Sequence, residues 1–171
     1  DAHVNYQEDL IDEIWSDRPA MSEEPAFDLD VKYAGETVAD KLARIRKEMK
    51  DAGANTHVMT TLDDICWMLN IRGNDIDFFP MVLSYAIVTI DGVELYIDER
   101  KLDDALKAKL AADGVKLHPY NDIYEDVKKF TEDTVVMVDP GKLNYAIFNN
   151  IPENVKTIEQ RNPAILMKAM K

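Results

Sequence analysis

The chain has 171 residues and a formal net charge of −13, from 20 Lys and Arg residues against 33 Asp and Glu residues. Its length and its 46% hydrophobic residues suit one globular domain with a single core. The acidity argues against binding to nucleic acid or to an anionic membrane, because both depend on Lys and Arg neutralising phosphates. No apolar stretch approaches the roughly 20 residues of a membrane-spanning helix. The single cysteine, Cys66, excludes an internal disulfide and favours a reducing compartment, and we expect the cytoplasm.

The N-terminal part predicts a short helix followed by an extended arm. Apolar residues recur at helical spacing over residues 5–15, with acids between them, which is typical of an amphipathic helix. Pro19 and Pro25 interrupt the stretch over residues 16–31, and proline breaks both helices and central strands. Any domain boundary is therefore expected in this arm.

The next part alternates between helix and strand. Apolar spacings of three and four predict a helix over residues 36–52, with Lys41 and Arg44 on its other faces and Gly53 as its stop. A strand is predicted over residues 56–60. Thr61, followed by acids in the first turn, predicts the N-cap of a helix over residues 62–70.

A hairpin and a second alternating stretch follow. Residues 83–90 and 93–97 have strand composition, and Asp91-Gly92 between them is a strong signal for a two-residue hairpin turn. The remaining predicted elements are helices over residues 102–112, 121–130, 142–149 and after Pro163, and strands over residues 115–117, 134–138 and 155–158. This alternation predicts an α/β sandwich whose sheet is mixed because it contains a hairpin.

The residues offer little catalytic chemistry. The six glycines form neither dinucleotide-binding nor P-loop patterns. His3, His57 and His118 lack the spacing of a zinc site, so we expect each to pack or cap rather than to bind a metal. Cys66 lies in an apolar run and is expected to be a small buried hydrophobe rather than a nucleophile. Three pairs of adjacent acids are expected to be solvated: Asp63-Asp64, Asp103-Asp104 and Glu132-Asp133.

Arg72 carries the one distinctive polar signal. It follows the predicted helix over residues 62–70 and precedes a glycine, where a guanidinium can present a rigid bidentate donor to a carboxylate. The alternative is that Arg72 pairs with Asp75 or caps the preceding helix through its carbonyls, and the residues alone favour this alternative.

The segment Thr61–Ile76 resembles a signature of the Xaa-Pro aminopeptidases, also called aminopeptidase P. Four further segments resemble parts of that family. Leu10–Pro19 resembles its interdomain junction and Lys32–Gly35 a following landmark. Ser84–Val88 resembles the strand after the Arg-Gly loop, and Arg161–Lys171 resembles the link to the catalytic domain. Two positions depart from the family pattern, Cys66 and Phe78–Met81, and the second puts the local loop geometry in doubt.

The resemblance implies a creatinase N-terminal-like fold, which is a three-layer sandwich of a mixed sheet with helices on both faces. It makes this stretch the middle domain of a three-domain protein. Residues 1–31 would be the interdomain helix and arm, residues 32–160 the α/β domain, and residues 161–171 the start of the link to a C-terminal metallopeptidase domain.

The family's chemistry removes an N-terminal residue before proline with two divalent metal ions, usually manganese. The five ligands lie in the C-terminal domain, so the resemblance assigns no metal ligand, cofactor or catalytic residue to this chain. It implies a non-catalytic part of a peptidase that shapes the substrate cleft and supports homodimer contacts, with the catalytic domain and a proline-second peptide as partners. Arg72 and Asp75 are the candidate cleft residues.

Two other hypotheses remain open at this point. The chain could be a stand-alone binding or oligomerisation module that keeps the fold without a peptidase domain. An unrecognised hydrolase in the chain itself is the least supported, because no nucleophile with a base and no metal cluster can be assembled from the sequence.

Overall fold

The computed structural model describes residues 10–170, which form helices and strands in alternation. The helices are α1 (Leu10–Ile14), α2 (Val31–Ala34), α3 (Val38–Ala52), α4 (Leu62–Leu69), α5 (Asp104–Ala112), α6 (Ile123–Asp126), α7 (Tyr145–Asn150) and α8 (Ala164–Met167). The strands are β1 (Phe27–Asp28), β2 (Thr56–Met59), β3 (Ile71–Arg72), β4 (Ser84–Thr89), β5 (Val93–Ile97), β6 (Val115–His118), β7 (Val135–Val138) and β8 (Lys156–Glu159). Short 3-10 turns occur at Glu99–Lys101, Tyr120–Asp122 and Val127–Lys129.

Six strands form one mixed sheet in the order β6-β5-β4-β2-β7-β8. β4 runs antiparallel to both of its neighbours, β2 and β5, whereas the other pairings in this sheet are parallel. The predicted hairpin is confirmed, since β4 and β5 pair directly. Its turn is one residue earlier than the predicted Asp91-Gly92, because Val88 pairs with Val93 and the Thr89 N–H donates to the Gly92 carbonyl, which leaves Ile90-Asp91 at the centre. The predicted mixed sheet is therefore confirmed.

Alternating side chains of the strands build a hydrophobic core on each face of the sheet. In β7, Met137 faces the core shared with α3, α4, α5 and α8, whereas Val136 and Val138 face the core shared with α6 and α7. Because successive strand residues point to opposite faces, a strand covered on both sides becomes a continuous apolar run. Helices thus cover both faces, and the three-layer arrangement is confirmed.

Helix α3 ends as its sequence predicts. Gly53 has a φ of 80°, and its N–H donates to the Lys50 and Met49 carbonyls. A residue without a Cβ adopts this left-handed conformation readily, which is why the helix stops here. At the other end, the Thr37 hydroxyl accepts the Asp40 N–H at 3.1 Å, so the helix begins at Val38, two residues after its predicted start.

Helix α4 begins at the predicted place but by different contacts. Thr61 occupies the N-cap position without accepting a backbone hydrogen bond there. Its hydroxyl instead donates to Oδ2 of Asp64 at 2.5 Å. The predicted capping contact is therefore wrong, since the hydroxyl accepts from Nδ2 of Asn162 at 3.4 Å instead of from a backbone N–H of α4.

Some elements differ from the sequence-based predictions. β1 lies in the predicted arm and pairs antiparallel with β3 in the predicted Arg-Gly loop, joining Phe27 to Arg72 and Asp28 to Ile71. The predicted helix over residues 121–130 is divided into α6 and two 3-10 turns. α1 confirms residues 10–14 of the helix predicted over residues 5–15 and ends one residue early, while residues 5–9 lie outside the described residues. Within residues 10–170, none of the helices has the length and apolar content needed to cross a bilayer.

Candidate functional site

The C-terminal end of α4 sets the geometry around Arg72. Asn70 follows the helix with a φ of 54°, and its N–H donates to the Cys66 and Trp67 carbonyls. Asparagine tolerates this left-handed conformation better than most residues because its short side chain can bond locally. The chain turns sharply here and enters β3, which brings Arg72 back against the helix end.

Arg72 caps the helix that precedes it. Its Nη1 donates to the Cys66 carbonyl at 2.8 Å and to the Ile71 carbonyl at 2.7 Å. The prediction of a capping role is confirmed, and a cation suits the negative end of the helix dipole. Its Nε and Nη2 groups make no hydrogen bond within the described part of the chain. Three of the five guanidinium N–H donors are therefore uncommitted within the described residues.

Asp75 does not pair with Arg72, so that part of the prediction is wrong. Its Oδ2 lies 2.6 Å from Nζ of Lys101 and accepts the Leu83 N–H at 2.7 Å. The side chains of Asp75 and Lys101 have no exposed surface. Its role in a substrate cleft stays a prediction, while its position makes it an anchor for the loop after β3.

Lys41 reaches the same helix end from α3. Its Nζ donates to the Trp67 carbonyl at 2.8 Å and to Oδ1 of Asn70 at 2.5 Å, and it lies 4.8 Å from the centre of the Trp67 ring. The pKa of Lys41 is lowered to about 8, chiefly by burial. Arg72 and Arg44 contribute to this shift, while Glu36 opposes it. Lys41 was expected on a face away from the core, and its 1% exposure makes that expectation wrong.

Together these groups line a cavity of about 480 Å³, which we call the Arg72 pocket. Its polar and aromatic walls include Tyr33, Glu36, Lys41, Trp67, Arg72 and Lys168. Glu36 is engaged by Nη2 of Arg44 at 2.6 Å, and Lys168 is engaged by the carboxylates of Asp63 and Asp64. This volume is in the range of small-molecule sites.

A buried polar network ties the C-terminal segment to the sheet next to this pocket. Oδ1 of Asn162 lies 3.3 Å from His57 Nε2 and can accept its hydrogen, and Asn162 Nδ2 donates to Oδ2 of Asp64 at 2.9 Å. Oδ1 of Asp64 accepts from Lys168 at 2.6 Å. Asp64 is 1% exposed, so the expectation that it is solvated is wrong. The acids at residues 103, 104, 132 and 133 are exposed as expected.

The remaining singled-out side chains pack as the sequence indicates. His57 is fully buried, with Nδ1 2.9 Å from the Met137 carbonyl. His118 stacks on Tyr96 and places Nε2 2.5 Å from Oε2 of Glu94. Cys66 is buried and free, and its Sγ accepts the Val82 N–H at 3.4 Å. His3 lies outside the described residues.

The described residues do not fit a metal centre. Between residues 10 and 170, no group of three or more His, Cys, Asp or Glu side chains is placed to hold a metal ion. No chemical step through a metal is therefore derived for this part of the chain.

The sequence matches a known domain family over most of its length. The sequence model of the creatinase/prolidase N-terminal domain matches residues 17–171. The chain belongs to this family. The Arg72 pocket therefore lies in a creatinase/prolidase N-terminal domain.

Relatives of this family member carry one recurrent name. A probable Xaa-Pro aminopeptidase P from Laccaria bicolor is 37% identical over 98% of this chain and 27% of its own length. The Xaa-Pro aminopeptidase app-1 of Caenorhabditis elegans is 33% identical over 91% of this chain and 26% of its own length. A probable Xaa-Pro aminopeptidase P from Neurospora crassa is 45% identical over 71% of this chain and 18% of its own length. The chain spans less than a third of each.

Solved structures agree with the family assignment. The X-prolyl aminopeptidase of Caenorhabditis elegans, described as a cytosolic enzyme with a di-nuclear active site, superposes with a TM-score of 0.91 at 32% identity, covering 98% of this chain and 28% of its own. The N-terminal domain of the cytoplasmic peptidase PepQ from Mycobacterium tuberculosis gives a TM-score of 0.55 at 8% identity, covering 75% of this chain and 98% of its own. The second likeness concerns the fold alone.

Sequence reasoning missed several residues of the site, and one of them had a readable signal. Lys41 lies three residues after Val38 and four before Ile45, so it shares their apolar helix face. By contrast, the partners of Asp75 and Asp64, namely Lys101 and Lys168, are 26 and 104 residues away. No local pattern connects residues at such separations.

Proposed function

We propose that this chain is a non-catalytic domain of a longer Xaa-Pro aminopeptidase, an enzyme that removes the N-terminal residue before proline. The supporting observation is the superposition on the Caenorhabditis elegans enzyme, with a TM-score of 0.91 over 98% of this chain but only 28% of that one. The partner would be a catalytic C-terminal domain of the same polypeptide. That domain would hold two divalent metal ions, manganese by our proposal, in keeping with the di-nuclear active site described for the Caenorhabditis elegans enzyme.

Within that enzyme, the domain would form one wall of the substrate cleft. Arg72 supports this role because Nε and Nη2 have no hydrogen-bond partner between residues 10 and 170 and its side chain lines a cavity. Asp75 would serve the cleft indirectly, since its buried pair with Lys101 fixes the loop that follows Arg72. The peptide substrate with proline second would then lie between this domain and the catalytic one.

The domain would also support contacts between two copies of the enzyme. The loop after β3 exposes Ile76, Phe78 and Phe79, and Phe78 is fully exposed at a φ of 64°. A bulky residue in the left-handed region is strained, so the loop holds an apolar side chain outward at a cost in energy. Exposed apolar groups of this kind are typical of interaction sites. A homodimer in the cytoplasm is our proposal for the longer protein.

The proposed organisation keeps residues 1–31 as interdomain helix and arm, 32–160 as the α/β domain and 161–171 as the link. Two contacts refine it: the Ala26 N–H donates to the Lys101 carbonyl at 2.9 Å, and the Leu29 N–H donates to the Asn70 carbonyl at 2.7 Å. The end of the arm is therefore bound to the domain that it precedes.

Hydrolysis of a proline-second peptide tests the proposal. We expect the 171-residue chain with manganese to be inactive, and the protein encoded by the full reading frame to hydrolyse the peptide. The reading frame beyond Lys171 should encode two Asp, one His and two Glu as metal ligands. A stop codon there would favour the alternative of a stand-alone binding or oligomerisation module, and hydrolysis by the pure chain would overturn the non-catalytic role.

The cleft role of Arg72 has its own test. In the longer enzyme, Arg72→Ala should lower kcat/KM by about tenfold or more, as expected when a charged hydrogen bond to substrate is lost. The matched control is Arg100→Ala, because Arg100 pairs with Asp98 and Glu23 at the surface. An unchanged kcat/KM in Arg72→Ala would leave only the capping of α4.

A further inference from the structure

Two cations in the Arg72 pocket have no carboxylate partner. Lys41 bonds to a carbonyl and an amide oxygen, and Arg72 bonds to two carbonyls, all of them neutral groups. No ion pair joins either cation to a carboxylate between residues 10 and 170. This is unusual in a chain with a net charge of −13, because carboxylates outnumber cations. Buried cations are normally paired, and Lys41 is buried, so the pocket lacks an anion that would face it and Arg72.

The other charges of the pocket do not supply that anion. Glu36 binds Arg44 at 2.6 Å, and Asp63 and Asp64 bind Lys168. Burial is the main cause of the lowered pKa of Lys41; Glu36 opposes the shift, while Arg72 and Arg44 add to it. The overall negative charge of the chain acts weakly in the pocket, because exposed charges are screened beyond roughly 8–10 Å at physiological salt.

The shape of the pocket defines what the anion is attached to. The cavity holds about 480 Å³, which is much larger than a single inorganic ion requires. Trp67 and Tyr33 supply aromatic surface, and Met167 and Met170 supply flexible apolar surface. The free Nε and Nη2 groups of Arg72 form the planar fork that binds a carboxylate through two parallel hydrogen bonds.

We propose that the Arg72 pocket is a binding site for a carboxylate that carries an apolar or aromatic body. The carboxylate receives the Nε and Nη2 hydrogen bonds of Arg72, while the body lies against Trp67 and the methionines. The carboxylate comes from the carboxyl end of a peptide or from a small organic acid. Only the peptide source rests on the proposed cleft role of Arg72.

The two tryptophans allow a direct test on the 171-residue chain. With 5-fluorotryptophan incorporated, ¹⁹F NMR gives one signal for Trp67 in the pocket and one for Trp15 in the N-terminal arm. The peptide Gly-Pro-Phe and the small acid 3-phenylpropionate are each titrated beside the corresponding amide, and inorganic phosphate is titrated as a further anion. We expect a saturable shift of the Trp67 signal with a Kd of about 0.1–1 mM for the carboxylates and at least about tenfold weaker binding of the amides.

The outcomes distinguish the two sources of the carboxylate and show which results would overturn the proposal. Tighter binding of the peptide acid assigns the site to a peptide terminus, and tighter binding of 3-phenylpropionate assigns it to a small acid. Equal binding of acids and amides, a response to phosphate alone, or no shift of the Trp67 signal would overturn the proposal. Because the titration requires no peptidase activity, its failure is distinct from failure of the hydrolysis test.

Matched variants locate the contact. Arg72→Gln should weaken carboxylate binding by about tenfold or more, whereas Arg100→Gln should leave it unchanged, because Arg100 pairs with Asp98 and Glu23 and does not line the pocket. A thermal melt and the position of the Trp15 signal report whether Arg72→Gln is folded. If that variant unfolds because the cap of α4 is lost, the acid-against-amide comparison on the native chain still decides the proposal.

Discussion

Nζ of Lys101 lies 2.6 Å from Oδ2 of Asp75, and both side chains are fully buried. The pair connects the loop after β3 to the 3-10 turn after β5, while the Lys101 carbonyl also accepts the Ala26 N–H. Oδ1 of Asp75 is buried and has no hydrogen-bond partner in the described part of the chain. The buried ion pair and the backbone hydrogen bond of Lys101 therefore join the Arg-Gly loop and the arm to the 3-10 turn after β5.

Removing one member of this pair should destabilise the protein strongly. Asp75→Ala leaves the Lys101 ammonium buried without a counter-charge and frees the Leu83 N–H, and we expect a loss of about 3–5 kcal/mol in the free energy of unfolding. Urea denaturation followed by circular dichroism measures this loss. The matched control is Asp77→Ala two residues later, where the side chain is exposed and the change should stay within about 0.5 kcal/mol.

A double substitution separates the charge from the packing. Asp75→Leu combined with Lys101→Met removes both charges, and it should be less destabilising than either single change because neither ion is left uncompensated. Equal and additive losses would contradict a coupled pair and assign the effect to packing alone.

Lys41 should make stability rise with pH in the mildly alkaline range. Burial holds the pKa of Lys41 at about 8, against 10.5 for an ordinary lysine, with Arg72, Arg44 and Lys109 adding to the shift and Glu36 opposing it. Between these two values the unfolded chain binds more protons than the folded chain, so raising the pH favours folding. From pH 7.5 to 9, the native chain should gain about 1 kcal/mol relative to Lys41→Met.

The measurement is a set of urea unfolding curves for both proteins across that range. The comparison with Lys41→Met cancels groups that titrate in both chains, and Lys50→Met on the exposed side of α3 is the matched control. A difference that is constant with pH, or that falls as the pH rises, would contradict a lowered pKa for Lys41.

Local chemistry explains which parts of the fold were predictable. The stop of α3 at Gly53 depends on a left-handed backbone conformation that few residues favour, so the residue itself carries the information. The alternation of Met137 with its neighbours likewise reflects a strand buried on both faces. Helix and strand positions follow from such short-range patterns.

The contacts of the site depend instead on partners that are distant in the sequence. β1 and β3 have two residues each and form only because the arm returns to residues more than 40 positions later. Thr61 occupies a cap position, yet its hydroxyl accepts from Asn162 and donates to Asp64, which also binds Lys168. Such partners are decided by tertiary structure, so the sequence pattern alone indicated the wrong contact.

His57 should reduce stability as the pH falls below neutrality. Burial lowers the pKa of His57, although the Met137 carbonyl, Asn162, Asp139 and Asp64 oppose the shift. The folded chain then keeps the imidazole neutral while the unfolded chain takes up a proton near pH 6.5. Stability is present above that value and is lost as the pH falls, by at most about 2 kcal/mol between pH 7 and 5 relative to His57→Gln.

Thermal or urea unfolding of the two proteins between pH 5 and 7 measures this difference. The matched control is His118→Gln, since His118 is partly exposed and faces Glu94 and Asp126. A native chain that gains stability over His57→Gln as the pH falls would show that His57 is protonated in the fold.

Cys66 should be unreactive in the folded chain. Burial raises the pKa of its thiol to about 11, with Asp63 and Asp75 adding to the shift and the Val82 N–H and Arg72 opposing it, and the side chain has no exposed surface. The thiolate is the reactive form, and it is both scarce and inaccessible near neutral pH. Iodoacetamide at pH 8 should therefore alkylate the urea-unfolded chain completely while the native chain stays unmodified in intact mass spectra.

An engineered thiol provides the control for reagent and conditions. Asp91→Cys in a Cys66→Ala background introduces a thiol at the exposed hairpin turn, and it should react in the native state about as fast as an unfolded cysteine. Labelling of the native chain should accelerate with added urea, because Cys66 becomes reachable only when α4 opens. Rapid alkylation of Cys66 without urea would contradict this prediction. It would mean that the C-terminal end of α4, which carries Trp67 of the Arg72 pocket, opens readily in the native state.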